Sequence, residues 1–186
     1  MRISPVAYRY AKSLLDLALE QGKLNEVQAD MALVAKTCDG SEDLRVVLKS
    51  PVVRPDQKQK VVSQTFGSKV DKVSASFLDV VVRKGRAAMV PQVAKAFEEL
   101  YLAHEHILIC KVTSAVPLTA EEREKASAIA QARFPGNTIR IQESVDPSII
   151  GGGIIQVGDL QWDSSVKNKL HVIKRTLAEN PYVAKI

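Results

Sequence analysis

Asp146-Pro147-Ser148-Ile149-Ile150-Gly151-Gly152-Gly153-Ile154-Ile155-Gln156-Val157-Gly158-Asp159, followed by Leu160-Gln161-Trp162-Asp163-Ser164-Ser165-Val166-Lys167-Asn168-Lys169-Leu170, is the stretch on which the fold turns. It packs a turn, three adjacent glycines, a short strand, a Gly-Asp turn and a helix start into one run. A phosphate-binding loop would need Lys-Ser or Lys-Thr after its last glycine, leading into a helix. Here Ile154-Ile155-Gln156-Val157 follows, which is a strand. The dinucleotide pattern fails for a related reason, since its glycines follow a strand and open a helix. Gly151 and Gly152 therefore read as a bend at a strand start. Leu160 to Trp162 is placed to pair with Gly153 to Val157 across the turn at Gly158 and Asp159. Asp163 reads as the N-cap of a last helix over about residues 164–178, with Val166, Leu170, Ile173 and Leu177 on one face.

Upstream, Ile107 to Ser114 is β-branched and partly alternating, so it reads as a strand. Pro117-Leu118-Thr119 caps a helix from Ala120, whose stripe is Ala126, Ile129, Ala130 and Phe134, and Pro135-Gly136 ends it. Glu121, Glu122 and Glu124 fall in its first turn, where they favour the helix dipole. Thr138 to Val145 alternates as a second strand.

Before Ile107 the chain reads as helices with sharp punctuation. Ser4-Pro5 supplies an N-cap and a proline at the first helical position, and Gly22 is the stop. A second helix is expected over Leu24 to Cys38, and Ser41 caps a third that runs to Leu48, before Ser50-Pro51. Pro55-Asp56 opens a fourth, through Phe66, with Gly67 behind it. A fifth is expected over about residues 70–84, stopped by Gly85, and a sixth from near Ala87 to His104, with Pro91 in or near its first turn. The fold class expected is α+β. An N-terminal six-helix bundle, residues 1–105, precedes a small C-terminal α/β domain, residues 106–186.

Composition narrows the function classes. Aromatics are 5% of the chain, so its cores must be built from Ala, Val, Leu and Ile. The net charge is +5, but the lysines and arginines are scattered and no run of five occurs, which reads as solvated surface. Cys38 and Cys110 sit far apart in apolar patterns, as buried thiols in a reducing compartment. No apolar stretch is long enough to span a membrane, and Met1 leads straight into an amphipathic helix pattern with no signal segment, so a cytoplasmic protein is expected. His104 and His106 point to different sides of a helix, and no cysteine or carboxylate spacing completes a zinc site. No serine lies in Gly-x-Ser-x-Gly. No catalytic residue, cofactor or metal is expected.

The helix faces carry more. Helix one has a core stripe of Ala7, Ala11, Leu14 and Ala18, and a second stripe of Val6, Tyr10, Ser13 and Leu17. Helix five is apolar around most of its girth: Ala75, Leu78, Val81 and Val82 can face a core while Phe77 and Val80 extend onto a neighbouring face. A helix of that kind is either fully buried or sits between a core and a partner. The second case gives a groove for an amphipathic helix, with the Tyr10 hydroxyl at its edge.

Four segments carry a family resemblance. Ala7-Tyr8-Arg9-Tyr10-Ala11-Lys12-Ser13-Leu14 resembles the opening helix of the delta subunit family of bacterial rotary ATP synthases, whose mitochondrial relative is the oligomycin-sensitivity-conferring protein. Phe77 to Arg86, ending Arg83-Lys84-Gly85-Arg86, is similar to the family's fifth helix and its Gly-Arg stop. Val112 to Leu118 resembles its strand-to-helix segment, and the run from Asp146 to Leu170 its most specific signature. Two positions depart from that pattern: Gly153 stands where the family has a bulky apolar residue, and Trp162 where it has a smaller or less polar one.

The resemblance implies a non-catalytic peripheral-stalk, or stator, subunit that lets ion-driven rotation be coupled to ATP synthesis. The N-terminal bundle would bind N-terminal segments of alpha subunits in the alpha/beta catalytic head. The C-terminal domain would bind the ends of the membrane-rooted b subunits. The chain would lie peripherally at the cytoplasmic face of the cell (inner) membrane, held there only through the complex. Joined to the helix faces, this makes Tyr10, Ser13 and Leu17 with Phe77 and Val80 the expected seat for an alpha-subunit helix. The competing expectation is a basic nucleic-acid-binding protein, suggested by Lys167, Lys169, Lys174 and Arg175 on the last helix. It lacks a recognised module and, apart from Trp162, aromatic residues on its strands.

Overall fold

Ser4 begins the first helix by accepting the Val6 N–H on its hydroxyl at 3.3 Å, with Pro5 at the first helical position. The computed structural model describes residues 4–178. It contains eight α-helices and a four-stranded mixed sheet within those residues. The chain divides into two compact units, with the break between His104 and Glu105.

The first unit holds α1 (Pro5–Glu20), α2 (Leu24–Gly40), α3 (Glu42–Lys49), α4 (Pro55–Phe66), α5 (Lys72–Arg83) and α6 (Val90–His104). Gly22, at φ +65, turns the chain out of α1. Ser41 caps α3 through the Leu44 N–H at 3.3 Å. Three boundaries differ from the sequence expectation, the first being the end of α2, which runs past Cys38 through Asp39 to Gly40. The fifth helix starts at Lys72, because Asp71 accepts the Val73 N–H at 3.0 Å and so acts as its cap. The sixth starts at Val90 behind a 3-10 turn, Ala87–Met89, since Pro91 has no N–H to continue an α-helix from Ala87.

α1 and α2 lie against α6, and α4 against α5. The resulting core contains Leu14, Met31, Val34, Phe66, Val81 and Phe97. Ala7, Ala11 and Ala18 of α1, and Ala94 and Ala96 of α6, are all essentially fully buried, and their small side chains let the helices approach closely.

The second unit is β1 (Ile107–Ser114), α7 (Ala120–Arg133), β2 (Thr138–Val145), β3 (Gly153–Val157), β4 (Leu160–Asp163) and α8 (Val166–Ala178). The sheet order is β2-β1-β3-β4. β1 and β2 are parallel, which requires the crossover helix α7, while β3 is antiparallel to β1 and to β4. α7 opens with a complete capping box: the Thr119 hydroxyl accepts the Glu122 N–H, and the Glu122 carboxylate accepts the Thr119 N–H at 2.9 Å.

Register explains which sheet face is apolar. Cys110 stands beside Ile141 and Val157, Val112 beside Ile155, and Ile155 beside Trp162. These side chains share one face and pack with Ala126 and Ala130 of α7. Lys111, Arg140, Gln142, Gln156 and Gln161 alternate with them and are exposed, so the opposite face is mainly polar, with half-buried Ile107, Ile109 and Ile154 among them. Ile129 departs from the expected α7 stripe; it is half exposed and lies outside that core.

The last helix is the clearest correction. Its N-cap is Ser165, whose hydroxyl accepts the Asn168 N–H at 3.1 Å, and not Asp163. Asp163 is held in β4 by pairing with Ile154 and instead accepts the Ser165 N–H at 2.9 Å. No residue of α8 is buried. No described helix is long and apolar enough to cross a membrane.

Candidate docking site

α1 and α5 run antiparallel, because Lys23 behind α1 meets Asp71 before α5, while Tyr10 in α1 meets Arg86 behind α5. Their inner stripes, Ala7, Ala11, Leu14 and Ala18 on α1 and Leu78, Val81 and Val82 on α5, go to the core. The faces turned outward leave an open groove of about 390 Å³ lined by Leu17, Gln21, Lys72, Val73, Ser76, Phe77 and Val80. Val80 is 49% exposed and Leu17 37%. Apolar side chains this accessible, aligned between two helices, form a surface that a third helix can cover.

Tyr10 closes one end. Its ring meets Phe77 edge-on, with centroids 6.4 Å apart and planes at 66°. The Arg86 guanidinium carbon lies 5.4 Å from the Tyr10 ring centroid, and Arg86 also donates to the Tyr10 hydroxyl at 3.2 Å. Four of the five residues expected at the seat, Tyr10, Leu17, Phe77 and Val80, thus share one groove and its end wall. Ser13 stands apart: its hydroxyl donates to the Arg9 carbonyl at 3.0 Å, and it is exposed on the outer flank of α1.

Four groove residues, Gln21, Lys72, Val73 and Ser76, and the clamp residue Arg86 escaped the sequence reading. Val73 carried a signal, since Val73, Phe77 and Val80 are spaced four and three, one continuous helix face. Gln21 follows Leu17 by four. The Arg86–Tyr10 contact joins residues 76 positions apart, and no local pattern announces it.

In the second unit the glycine run bends the chain between the 3-10 turn Pro147–Ile149 and β3. Ile150 takes φ +70, unusual for a β-branched residue, and Gly152 takes φ +74. A Cβ on Gly152 would lie 2.5 Å from the Ser164 carbonyl oxygen, while one on Gly151 would meet only a Val166 methyl at 3.3 Å. The Gly151 carbonyl accepts the Val166 N–H at 2.9 Å and the Gly153 carbonyl the Ser164 N–H at 3.0 Å, so the run also anchors the start of α8. Gly158, at φ +57, and Asp159 join β3 to β4. The carboxyl of Asp163 is held below the usual carboxylate range by the Ser165 hydroxyl and N–H, and that of Asp146 by the N–H and hydroxyl of Ser148. Around the run, Val116, Ile129 and Ile150 stand half exposed or more, and on α8 so do Leu170, Ile173 and Leu177. Among the described residues no cluster of three or more His, Cys, Asp and Glu is placed to hold a metal ion.

The family model described as ATP synthase delta (OSCP) subunit matches residues 6–177. The chain belongs to this family. It is 36% identical to ATP synthase subunit delta of Cytophaga hutchinsonii, over 96% of this chain and 97% of that protein. It is 39% identical to ATP synthase subunit delta of Sinorhizobium medicae, over 95% and 94%. A chloroplastic ATP synthase subunit delta, from Ochrosphaera neapolitana, is 30% identical over 95% and 99%. A chain of the Toxoplasma gondii mitochondrial ATP synthase hexamer shares the fold with a TM-score of 0.71, at 23% identity, over 95% of this chain and 99% of that one. The nucleic-acid reading gains nothing from any of these likenesses.

Proposed function

We propose that this chain is a non-catalytic stator subunit of a rotary ATP synthase, and that the α1–α5 groove is where it holds the catalytic head. Residues 1–105 act as a six-helix bundle that receives an N-terminal helix of an alpha subunit from the alpha/beta head. Residues 106–186 bind the membrane-rooted b subunits, with the uncovered face of Val166, Leu170, Ile173 and Leu177 on α8 as the apolar surface for them. The chain is thereby peripheral to the membrane, at its cytoplasmic face, and needs no cofactor.

The observation that carries the reading is the open apolar groove between two well-packed helices. Rotation of the central shaft puts torque on the head, and a stator must resist it without chemistry. Helix-in-groove packing supplies this through buried apolar area, worth roughly 25 cal/mol per Å² before association costs. Affinity isolation of the tagged chain from membranes of its own organism tests the proposal. Recovery of alpha, beta and b subunits is the expected result; recovery of nucleic acid in their place would refute it.

A further inference from the structure

Charge around the α1–α5 groove is unevenly paired. Both carboxylates at the α5 wall are engaged within the chain. Asp71 lies 2.9 Å from Lys23, and Asp79 lies 2.9 Å from Arg83 and accepts from the Gln59 amide. The cations at the two ends of that wall are not so engaged. Lys72 lines the groove at the Gln21 end and is exposed. Arg86 stands at the Tyr10 end with one N–H on the Tyr10 hydroxyl. Among the described residues neither has a carboxylate within 4.0 Å. A guanidinium has five N–H donors, so Arg86 keeps most of its hydrogen-bonding capacity for something outside the chain.

The α1 flank carries charges of both signs. Helical spacing puts Asp16 and Glu20 beside Leu17 on the side away from Gln21, and therefore away from α5. Both are exposed, and among the described residues neither has a cation within 4.0 Å. The groove is thus apolar along its floor and cationic at both ends of the α5 wall, while the outer flank of α1 is mixed, since exposed Arg9 and Lys12 share it with Asp16 and Glu20.

We propose that the groove selects an amphipathic helix with carboxylates along one edge of its apolar stripe, and that Arg86 and Lys72 are the specificity-determining residues that receive them. This rests on the groove being the head-binding site. The apolar stripe covers Leu17, Val73, Phe77 and Val80. The acidic edge faces α5, where Arg86 pairs a carboxylate through parallel N–H bonds and Lys72 takes another as a point charge. Turned over, the same helix would set its carboxylates against an α1 flank where Asp16 and Glu20 balance Arg9 and Lys12, so the charge pattern favours the rotation that faces them to α5. A phosphate backbone or an anionic membrane fits the site poorly, because it leaves Phe77 and Val80 uncovered.

The test is fluorescence-anisotropy titration of the full-length chain with a labelled peptide, the N-terminal segment of the alpha subunit of the same organism. Wild type is compared with Lys72→Glu, Arg86→Glu and Val80→Asp at about 0.05 M and about 0.5 M salt, where screening differs strongly. Each charge reversal is expected to weaken binding about tenfold at low salt, equivalent to 1.4 kcal/mol. That deficit is expected to shrink at high salt, whereas the Val80→Asp deficit persists at both. Lys72→Gln and Arg86→Gln, with melting curves recorded alongside, replace any reversal that fails to fold. If the charge variants bind like wild type while Val80→Asp does not, the inference falls and the docking site stands. A deficit in Arg86→Glu that ignores salt would mean that Arg86 acts only by holding Tyr10, and overturns its assignment. If wild type does not bind, or Val80→Asp binds normally, the inference and the head-binding reading fall together.

Discussion

Lys23 Nζ lies 2.9 Å from Asp71 Oδ2, so one ion pair ties the turn behind α1 to the residue that caps α5. Asp71 is held from two further directions. Its other carboxylate oxygen accepts the Val73 N–H at 3.0 Å, and its own N–H donates to the nearly buried Asp30 carboxylate at 2.9 Å. This junction fixes the separation of α1 and α5 at the Gln21–Lys72 end of the groove, as the Arg86–Tyr10 clamp does at the other.

The hydrogen bond from Lys23, and after it the one from the Val73 N–H, hold the Asp71 carboxyl below the usual carboxylate range; the same bond raises Lys23. A depressed carboxyl contributes stability that is present above its unfolded-state value and is lost as the pH falls through the folded one. The raised Lys23 contributes below the ordinary lysine value, and its share is lost as the pH rises through the folded one. At neutral pH, Asp71→Asn is expected to melt below wild type, having lost the ion pair but kept a capping oxygen. Asp71→Ala is expected to melt lower still, having lost both. Thermal melts in increasingly acidic buffer check this: the gap between wild type and Asp71→Asn should close once the carboxyl is protonated. A gap that stays constant through that range means the ion pair is not what stabilises the junction.

The glycine run predicts a graded response. Gly152→Ala meets two obstacles, a positive φ and a backbone oxygen 2.5 Å from the new Cβ. It should cost about 2 kcal/mol or more. Gly158→Ala meets only the positive φ, with open space around it, and should cost about 1 kcal/mol. Gly151→Ala meets only a methyl group at 3.3 Å and should be mildest. Trp162 is the single tryptophan and packs in the second core, so its fluorescence follows that unit through urea denaturation. Equal costs at the three positions would contradict the geometry.

Both cysteines are buried, one in each core, and are free thiols. Burial is the main cause that pushes the Cys38 thiol up to about 11, with Asp39 adding to it, and burial raises Cys110 as well. At neutral pH both should resist a thiolate-selective disulfide reagent, with labelling rates that match the opening of each unit. A thiol whose folded value is raised binds its proton more tightly when folded. Stability is therefore complete below the ordinary thiol value and declines as the pH rises toward about 11, by about 2 to 3 kcal/mol for Cys38. Cys38→Ala should flatten that alkaline decline. Rapid stoichiometric labelling of the folded chain at neutral pH would show that the thiols are accessible.

Most helix boundaries are legible because they are marked by residues with their own backbone rules, such as Ser4-Pro5, Gly22, Ser41, Pro55 and Gly85. Of those the sequence misplaces, α6 starts late through the local effect of Pro91, whereas α5 and α8 depend on partners that local sequence does not reveal. α5 starts late because Asp71 is pinned by Lys23 and Asp30, both more than forty positions away. α8 starts late because Asp163 is retained by its ladder partner Ile154. The central place of β1 in the sheet is likewise a long-range fact, since β3 passes β2 to pair with it. Positive φ at Ile150 runs against local propensity altogether, so only the surrounding bonds to Gly151 and Gly153 reveal that bend. At the groove, the second stripe of α1 and the apolar girth of α5 announce a surface, but not the charges that border it.

Ser13→Trp probes that surface with the least disturbance to the core. Ser13 is exposed, and its hydroxyl bonds only to the carbonyl of Arg9 one turn earlier, so replacing it removes no tertiary contact. Surface changes of this kind alter stability by about 0.5 kcal/mol or less. The indole, four residues before Leu17, can lie over the α1 edge of the groove and occupy space that a docked helix needs. Binding of the alpha-subunit N-terminal peptide should weaken at least about tenfold, or 1.4 kcal/mol. The melting temperature should hold. Calorimetric titration beside a thermal melt reads both quantities. Undiminished binding would place the docked helix away from the α1 flank, toward α5 or onto another face. A large fall in melting temperature would contradict the exposed placement of Ser13 and make the variant a probe of folding rather than of the seat.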